Sequence, residues 1–241
     1  MKSIHIGTAG WNVPTALKQQ FEAVGSHLER YASKMNSAEV NSSFYKPHQR
    51  ETWQRWAEST PPDFKFAVKA PKAITHTAKL VNCGHLLVEF FDQISGLEEK
   101  LGPVLFQLPP SYSFAQGVTR DFLGTLREVH AGPVALEPRN ATWFTTDANR
   151  LLREFNIARV AADPAKGSSS AAHPAGASSL RYYRLHGSPR VYWSAYDTAS
   201  IKALATQLIA HESGDSWVVF DNTAAGEALK NALELQALLS N

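Results

Sequence analysis

A single cysteine, Cys83, stands in the 241-residue chain, so no internal disulfide can form and no cysteine-based zinc site can be assembled. Charge of one sign is also scarce. The 24 Lys and Arg residues face 22 Asp and Glu, a formal excess of +2, which is too little to argue for a nucleic-acid or membrane surface. No stretch approaches the ~20 apolar residues that a membrane span needs. The chain runs almost at once into Ile4-His5-Ile6-Gly7, without the basic segment and apolar run of a secretory signal, so a cytoplasmic protein is expected. His-Glu-x-x-His, the P-loop, Gly-x-Ser-x-Gly and Gly-x-Gly-x-x-Gly are all missing. The chemistries those motifs serve therefore have no foothold here.

What is present is a large apolar fraction, 44%, against 19% charged residues, enough for a substantial core. Short apolar runs alternate with segments of helical period. Ile4–Gly7, Ala38–Asn41, Phe64–Lys69, Pro103–Leu108, Val134–Arg139, Ala158–Asp163, Leu180–His186 and Trp217–Asn222 read as eight strands. Between most of them lie helical faces. Leu17, Phe21, Val24, Leu28 and Tyr31 predict one helix over 16–34. Leu87 to Leu101 predict another, ended by Gly102. Further helices are expected around Trp53 and Trp56, over Val118–Val129, Ala148–Phe155 and Ile201–Ile209, and over Ala228–Leu239. Strand–helix alternation predicts parallel strands with right-handed crossovers, and eight such units predict an α/β fold, a single (β/α)8 TIM-like barrel over residues 1–241. Residues 164–179 are rich in Ser, Ala and Gly and lack a helical face. A loop, a candidate lid, is expected to replace the sixth helix there.

Polar residues collect where the predicted strands end, the mouth at which barrel enzymes carry their chemistry. Glu39 and Asn41 share a face on the second strand, and Lys69 ends the third. Gln107 ends the fourth, and Glu137 and Arg139 share a face on the fifth. Asp163 ends the sixth, and Arg184 and His186 share a face on the seventh. The eighth ends at Asp221 and Asn222, of which Asn222 is the expected binding residue. Charges inside a barrel cost several kcal/mol each unless paired or used. Glu39, Glu137, His186 and Asp163 are the candidate proton-transfer groups. Lys69, Arg139, Arg184, Asn41, Gln107, Asn222, Trp11, Tyr45 and His76 are the candidate substrate contacts. Bland readings stand beside these: Glu39 with Lys69 and Glu137 with Arg139 as structural ion pairs, Asp163-Pro164 as a turn, and Asn222 as a helix cap.

Several segments together carry a resemblance. Gly7-Thr8-Ala9-Gly10-Trp11, Glu39 through Tyr45, Phe66 to Lys69 with Ile74-Thr75-His76, Gln107-Leu108-Pro109-Pro110, Glu137-Pro138-Arg139 with Trp143, Arg184-Leu185-His186-Gly187 and Asp221-Asn222-Thr223 resemble the YecE-like family, domain of unknown function 72. Ala9 stands where that family commonly has Ser, and Asp221 where it commonly has Asn. The resemblance implies a TIM-like barrel and, by structural analogy, a likeness to barrel endonucleases of the apurinic-site type.

Three functions compete. The first is a hydrolase or lyase using acid–base chemistry on a small anionic or sugar-like substrate, with Glu39 and Glu137 as acid and base, the cations holding an anion, and His186 relaying a proton. The second is a metal-dependent nucleic-acid phosphodiesterase, with a divalent metal on His76, His186, Glu39, Glu137 and Asp163; it is the less favoured, because net charge is modest. The third is a non-catalytic barrel that binds the same ligand against an aromatic wall drawn from Trp11, Phe44, Tyr45, Trp143, Tyr192 and Trp193. No membrane partner is expected.

Overall fold

Parallel strands and helices alternate along almost the whole chain in the computed structural model, which describes residues 3–240. The elements, in order, are β1 (Ile4–Thr8), α1 (His27–Ala32), β2 (Ser37–Val40), α2 (Arg50–Glu58), β3 (Lys65–Lys69), α3 (Gly84–Ile94), β4 (Leu101–Gln107), α4 (Gln116–Val129) and β5 (Val134–Glu137). Then come α5 (Thr146–Glu154), β6 (Ala158–Arg159), β7 (Ala161–Asp163), β8 (Ala175–Gly176), β9 (Leu180–Leu185), α6 (Thr198–Ala210), β10 (Asp215–Phe220) and α7 (Glu227–Leu239). The strands form two sheets, ordered β1-β10-β9-β7 and β2-β3-β4-β5-β6-β8. Every pairing is parallel except that of β6 with β8. Among the described residues no helix is long and apolar enough to cross a membrane.

The two sheets meet at both edges. β6 and β7 are one run of chain, interrupted at Val160, whose N–H donates to Leu136 O at 3.0 Å. At the other edge β1 meets β2 with little ladder of its own. Gly10 N–H donates to Glu39 O at 2.8 Å. Side chains supply most of the remaining bonds. Asn36 accepts from Ile6 N–H at 2.8 Å and donates to Ile4 O at 3.0 Å, and Tyr31 OH accepts from Thr8 N–H and donates to Ser37 O, both at 2.9 Å. Buried strand edges must be satisfied somehow, and here an amide and a phenol take the place of a neighbouring backbone. Gly7 makes the close approach possible, because a Cβ there would lie 2.2 Å from Ser37 O.

Two apolar clusters follow from the two faces of the strands. One holds Ala67, Leu105, Ala135, Ala158, Val160, Leu180, Tyr182, Trp217 and Val219. The larger one packs the alternate strand residues, such as Val68, Val104, Phe106, Leu136 and Val218, against helix residues including Leu87, Phe122, Leu126, Leu151, Leu208 and Leu235. Side chains alternate with period two along a strand, so β3, β4, β5, β9 and β10 each serve both clusters.

The structure corrects several local expectations. The helix expected over 16–34 is a 3-10 segment, Thr15–Gln20, followed by α1. Phe21 is extended, Gly25 has φ +100°, and Ser26 and Glu29 form a capping box that starts α1 afresh. Val24, assigned to the buried face, is 86% exposed. Gly102 does not end a helix. It lies inside β4, where a Cβ would come within 2.5 Å of the Trp217 ring. Residues 164–179 contain no α-helix, but they are not featureless: a 3-10 turn, Ser169–Ala172, and β8 give them structure. Arg159 ties that segment down, donating to Asn149 Oδ1 at 2.9 Å and to Ser170 O at 3.1 Å.

Candidate functional site

The strand period decides which polar residues meet. Counting two residues beyond an inner apolar residue keeps the same face. From Ala67 this reaches Lys69, from Leu105 Gln107, and from Ala135 Glu137. From Tyr182 it reaches Arg184 and then His186, and from Val219 it reaches Asp221. Glu39 joins them from β2. All lie towards the C-terminal ends of their strands.

Arg184 is the centre. Its Nε and Nη2 grip Glu39 at 3.0 and 2.7 Å, its Nη1 meets Glu137 at 2.7 Å, and its Nη2 also meets Asp221 at 3.2 Å. The Arg184 and Glu39 side chains are 1% and 0% exposed, so this is a fully desolvated, bidentate pair. Tyr182 OH donates to Glu39 Oε2 at 2.8 Å. Glu137 accepts further from Gln107 Nε2 at 3.0 Å and from Arg139 Nε at 3.0 Å. Burial alone would raise the Glu137 carboxyl, but Arg184, followed by His186 and Arg139, holds it well below the usual range, so it remains ionised. Burial and the neighbouring carboxylate push the Tyr182 phenol well up, so it remains a donor.

His186 Nδ1 lies 2.9 Å from Asp221 Oδ2. Its Nε2 is 3.5 Å from Glu137 Oε1 and has no hydrogen-bond partner, although it is buried. Burial pulls the imidazole down in pKa, but Asp221 and Glu137 outweigh this and leave it above its ordinary value. Asp221 is held down mainly by Arg184 and His186 against its own burial. Lys69 is 8% exposed, and its Nζ sits 4.3 Å from the centre of the Phe44 ring. Burial, and then the Arg184 charge, lower its pKa. Three carboxylates (Glu39, Glu137, Asp221) thus face the guanidinium groups of Arg184 and Arg139, with Lys69 and His186 beside them. A narrow cleft lined by Glu137, Arg139, Val160, Ala162, Pro164 and His186 leads to it.

Other candidates fall elsewhere. Asp163 has the outward parity of Ala161 and accepts from Tyr196 OH at 2.8 Å. Asn222 is buried but faces the helices, its Nδ2 donating to Ser194 O at 2.9 Å and to Asn231 Oδ1 at 3.0 Å. Trp11 packs edge-on against Trp56 at 5.0 Å, and Tyr45 is 81% exposed. Asn41 has the inward parity and its Oδ1 is buried without a partner. His76 lies edge-on to Phe44 at 5.1 Å, within reach of the charges of Lys69, Lys72 and Arg139, on the rim. Of the aromatic wall, Trp143 is fully buried, while Tyr192 meets the His186 ring edge-on at 5.8 Å. Tyr182 and Asp221 are the members that sequence reasoning left out of the site. The signal existed: Tyr182, Arg184 and His186 are spaced by two, and Asp221, not Asn222, shares the parity of Trp217 and Val219.

The residues named for a divalent metal do not converge. Glu39 and Glu137 spend their oxygens on arginines, and Asp163 and His76 lie outside the cluster. Among the described residues no group of three or more His, Cys, Asp or Glu is placed to hold a metal ion.

Comparison with known proteins gives a consistent picture. Residues 5–241 match the family described as "Protein of unknown function DUF72". The chain is 34% identical over 109 residues to the UPF0759 protein YecE of Escherichia coli K12, a match spanning 45% of this chain and 39% of that protein, less than two thirds of its length. To the UPF0759 protein YunF of Bacillus subtilis it is 24% identical over 98% of this chain and 94% of that one. The fold matches that of a DUF72 family protein from Enterococcus faecalis V583 with a TM-score of 0.81, at 19% identity, over 99% of this chain and 96% of the other. A DUF72 family protein from Thermotoga maritima gives a TM-score of 0.78 at 22% identity, over 99% and 100%.

Proposed function

We propose a function from one premise: this chain belongs to the DUF72 family. We read the two sheets as one ring of strands, a (β/α)8-like barrel with the charged cluster at its C-terminal mouth, where such barrels carry their chemistry. The function that fits best is acid–base catalysis, of the hydrolase or lyase kind, on a small anionic or sugar-like substrate.

The observation that carries this reading is the Asp221–His186 pair, whose Nε2 is buried without a partner beside the cleft. A carboxylate on Nδ1 fixes the ring and favours the imidazolium, leaving Nε2 to give or take the proton that moves. Glu39 and Arg184 serve as a rigid frame, because every oxygen and nitrogen that joins them is committed. Glu137, held ionised, steadies His186 rather than donating a proton. Arg139, with the proton on His186, draws an anionic group into the cleft. This reassigns the acid role from the two glutamates to His186. The metal-dependent phosphodiesterase has weaker support, since the carboxylates it needs are neutralised by arginines.

The test begins with a thermal-shift screen of inorganic phosphate, sugar phosphates and small carboxylates. Turnover of the ligands that bind is then compared between the protein and His186→Gln. A loss of about 10²–10⁴-fold in kcat is expected for a general acid–base group. Undiminished turnover in the variant would end the assignment, and tight binding without conversion of any ligand would favour a binding barrel instead.

A further inference from the structure

The cation that the site leaves unrewarded is Lys69. Carboxylates of Glu39 (β2), Glu137 (β5) and Asp221 (after β10) lie close enough to act on its charge, as does the guanidinium of Arg184 (β9). Yet among the described residues no carboxylate comes within 4.0 Å of its ammonium, and no side-chain or backbone oxygen hydrogen-bonds it. Arg184 and Arg139 have taken the oxygens of Glu39 and Glu137, and Arg184 and His186 share Asp221 Oδ2. Among the described residues Nζ meets the face of Phe44 at 4.3 Å, and burial with the nearby cations lowers the pKa of His76 beyond that ring. A cation–π contact returns about 0.5–2 kcal/mol, less than a hydrogen-bonded ion pair in a dry site. Nζ is not among the fully buried unpartnered atoms, so a residual contact with solvent and the Phe44 face are what hold its charge, a weaker hold than an ion pair gives and one that favours a neutral, nucleophilic amine.

We propose that Lys69 is a nucleophile that forms an imine with a carbonyl substrate, an aldehyde or a 2-oxo acid. This rests on the reading of the site given above and names its substrate class. Nζ first gives its proton to solvent. Its lone pair then attacks the carbonyl carbon while the carbonyl oxygen takes the proton of His186 Nε2, and the attached nitrogen returns one of its protons to Nε2, giving a neutral carbinolamine. His186 then gives that proton to the hydroxyl, which leaves as water while nitrogen forms its double bond to carbon, so amine, carbonyl and imidazolium become protonated imine, water and neutral imidazole, with no oxidant or reductant required. The protonated imine is an electron sink that a lyase can use to break an adjacent bond. Burial and Arg184, which lower the Lys69 pKa, support the same conclusion.

Two measurements on the full chain decide it. Trace acetylation across pH, read by peptide mass spectrometry, compares Lys69 with the exposed Lys46, Lys72 and Lys166. Lys69 is expected to become reactive at lower pH than they do. Separately, the protein is incubated with glyoxylate, pyruvate or dihydroxyacetone phosphate and sodium cyanoborohydride. A reduced adduct is expected at Lys69, formed at least roughly tenfold faster than at the exposed lysines and absent from Lys69→Arg, whose fold is checked by its thermal midpoint. If Lys69 titrates with the exposed lysines, or adducts spread evenly over the surface, the proposal is overturned. Should Lys69 fail to trap while anion turnover still depends on His186, the imine falls and acid–base catalysis stands. Should Lys69 trap equally fast in His186→Gln, the role of His186 falls and the nucleophile stands.

Discussion

Arg184 and Lys69 occupy the same charged layer, yet the protein treats them in opposite ways. Arg184 makes four hydrogen bonds to three carboxylates, while Lys69 rests on an aromatic face. The difference separates what the site needs in order to exist from what it offers to a ligand. Burying one guanidinium among Glu39, Glu137 and Asp221 satisfies all of them together. Arg139 takes the remaining oxygen of Glu137, and no carboxylate is left within ion-pair distance of Lys69 among the described residues. Below this layer the inner face of the strands is apolar, filled by Leu105, Tyr182, Trp217, Val219 and small alanines, and needs no such compensation.

The largest effect should come from breaking the saturated centre. Arg184→Leu leaves Glu39 buried without its counter-ion and Glu137 with Arg139 alone, and a loss of about 3–5 kcal/mol is expected in urea unfolding at neutral pH. A loss below about 1 kcal/mol would mean that the cluster is solvated or rearranged and that Arg184 is no keystone. Next comes the apolar floor. Gly102→Ala drives a methyl group to within 2.5 Å of the Trp217 ring, and about 1–3 kcal/mol of destabilisation is expected from overpacking. Because Trp217 also stacks on His5 at 4.5 Å, its fluorescence should report the displacement. Lys69→Met sharpens the contrast from the other side. Removing a side chain whose charge is so weakly held should change stability by less than about 1 kcal/mol, or raise it, while imine trapping is lost. A large destabilisation would show that Lys69 has a structural partner after all.

Sequence legibility follows the same division. The strand positions came from short apolar runs, and Glu39, Gln107, Glu137, Arg184 and His186 could be placed together because each lies towards the C-terminal end of a parallel strand. Parity was the finer instrument. It separates Asp221 from Asn222, and it turns Asp163 outward to Tyr196. Local rules failed where tertiary contacts overrode them: Gly102 looks like a helix stop but serves the approach of Trp217, and the apolar spacing over 16–34 spans a break set by Gly25 and the Ser26 cap. The division of labour between Arg184 and Lys69 could not be read at all. Which of two cations wins a carboxylate depends on distances of a few tenths of an ångström across strands far apart in the chain.

The smallest effect tests the proton on His186, and its sign can be worked out in advance. The folded state holds the His186 pKa above its ordinary value of about 6.5. The stabilisation this gives is therefore fully present below about pH 6.5 and is lost as pH rises through the folded-state value. Glu137 and Asp221, held low, act oppositely: their contribution is present above the ordinary carboxylate range and is lost as acid protonates them. Several other histidines are depressed, His130 to about 4, and will slope the whole curve the other way. The useful quantity is consequently the difference between the protein and His186→Gln, in which those shared slopes cancel. That difference should be largest at slightly acid pH and shrink steadily on the alkaline side, as measured by urea midpoints in a series of buffers. A gap that stays constant with pH would mean that folding leaves the His186 pKa unshifted, and a gap that grows on the alkaline side would mean an imidazole held neutral between Asp221 and Glu137, with no proton on Nε2 to give.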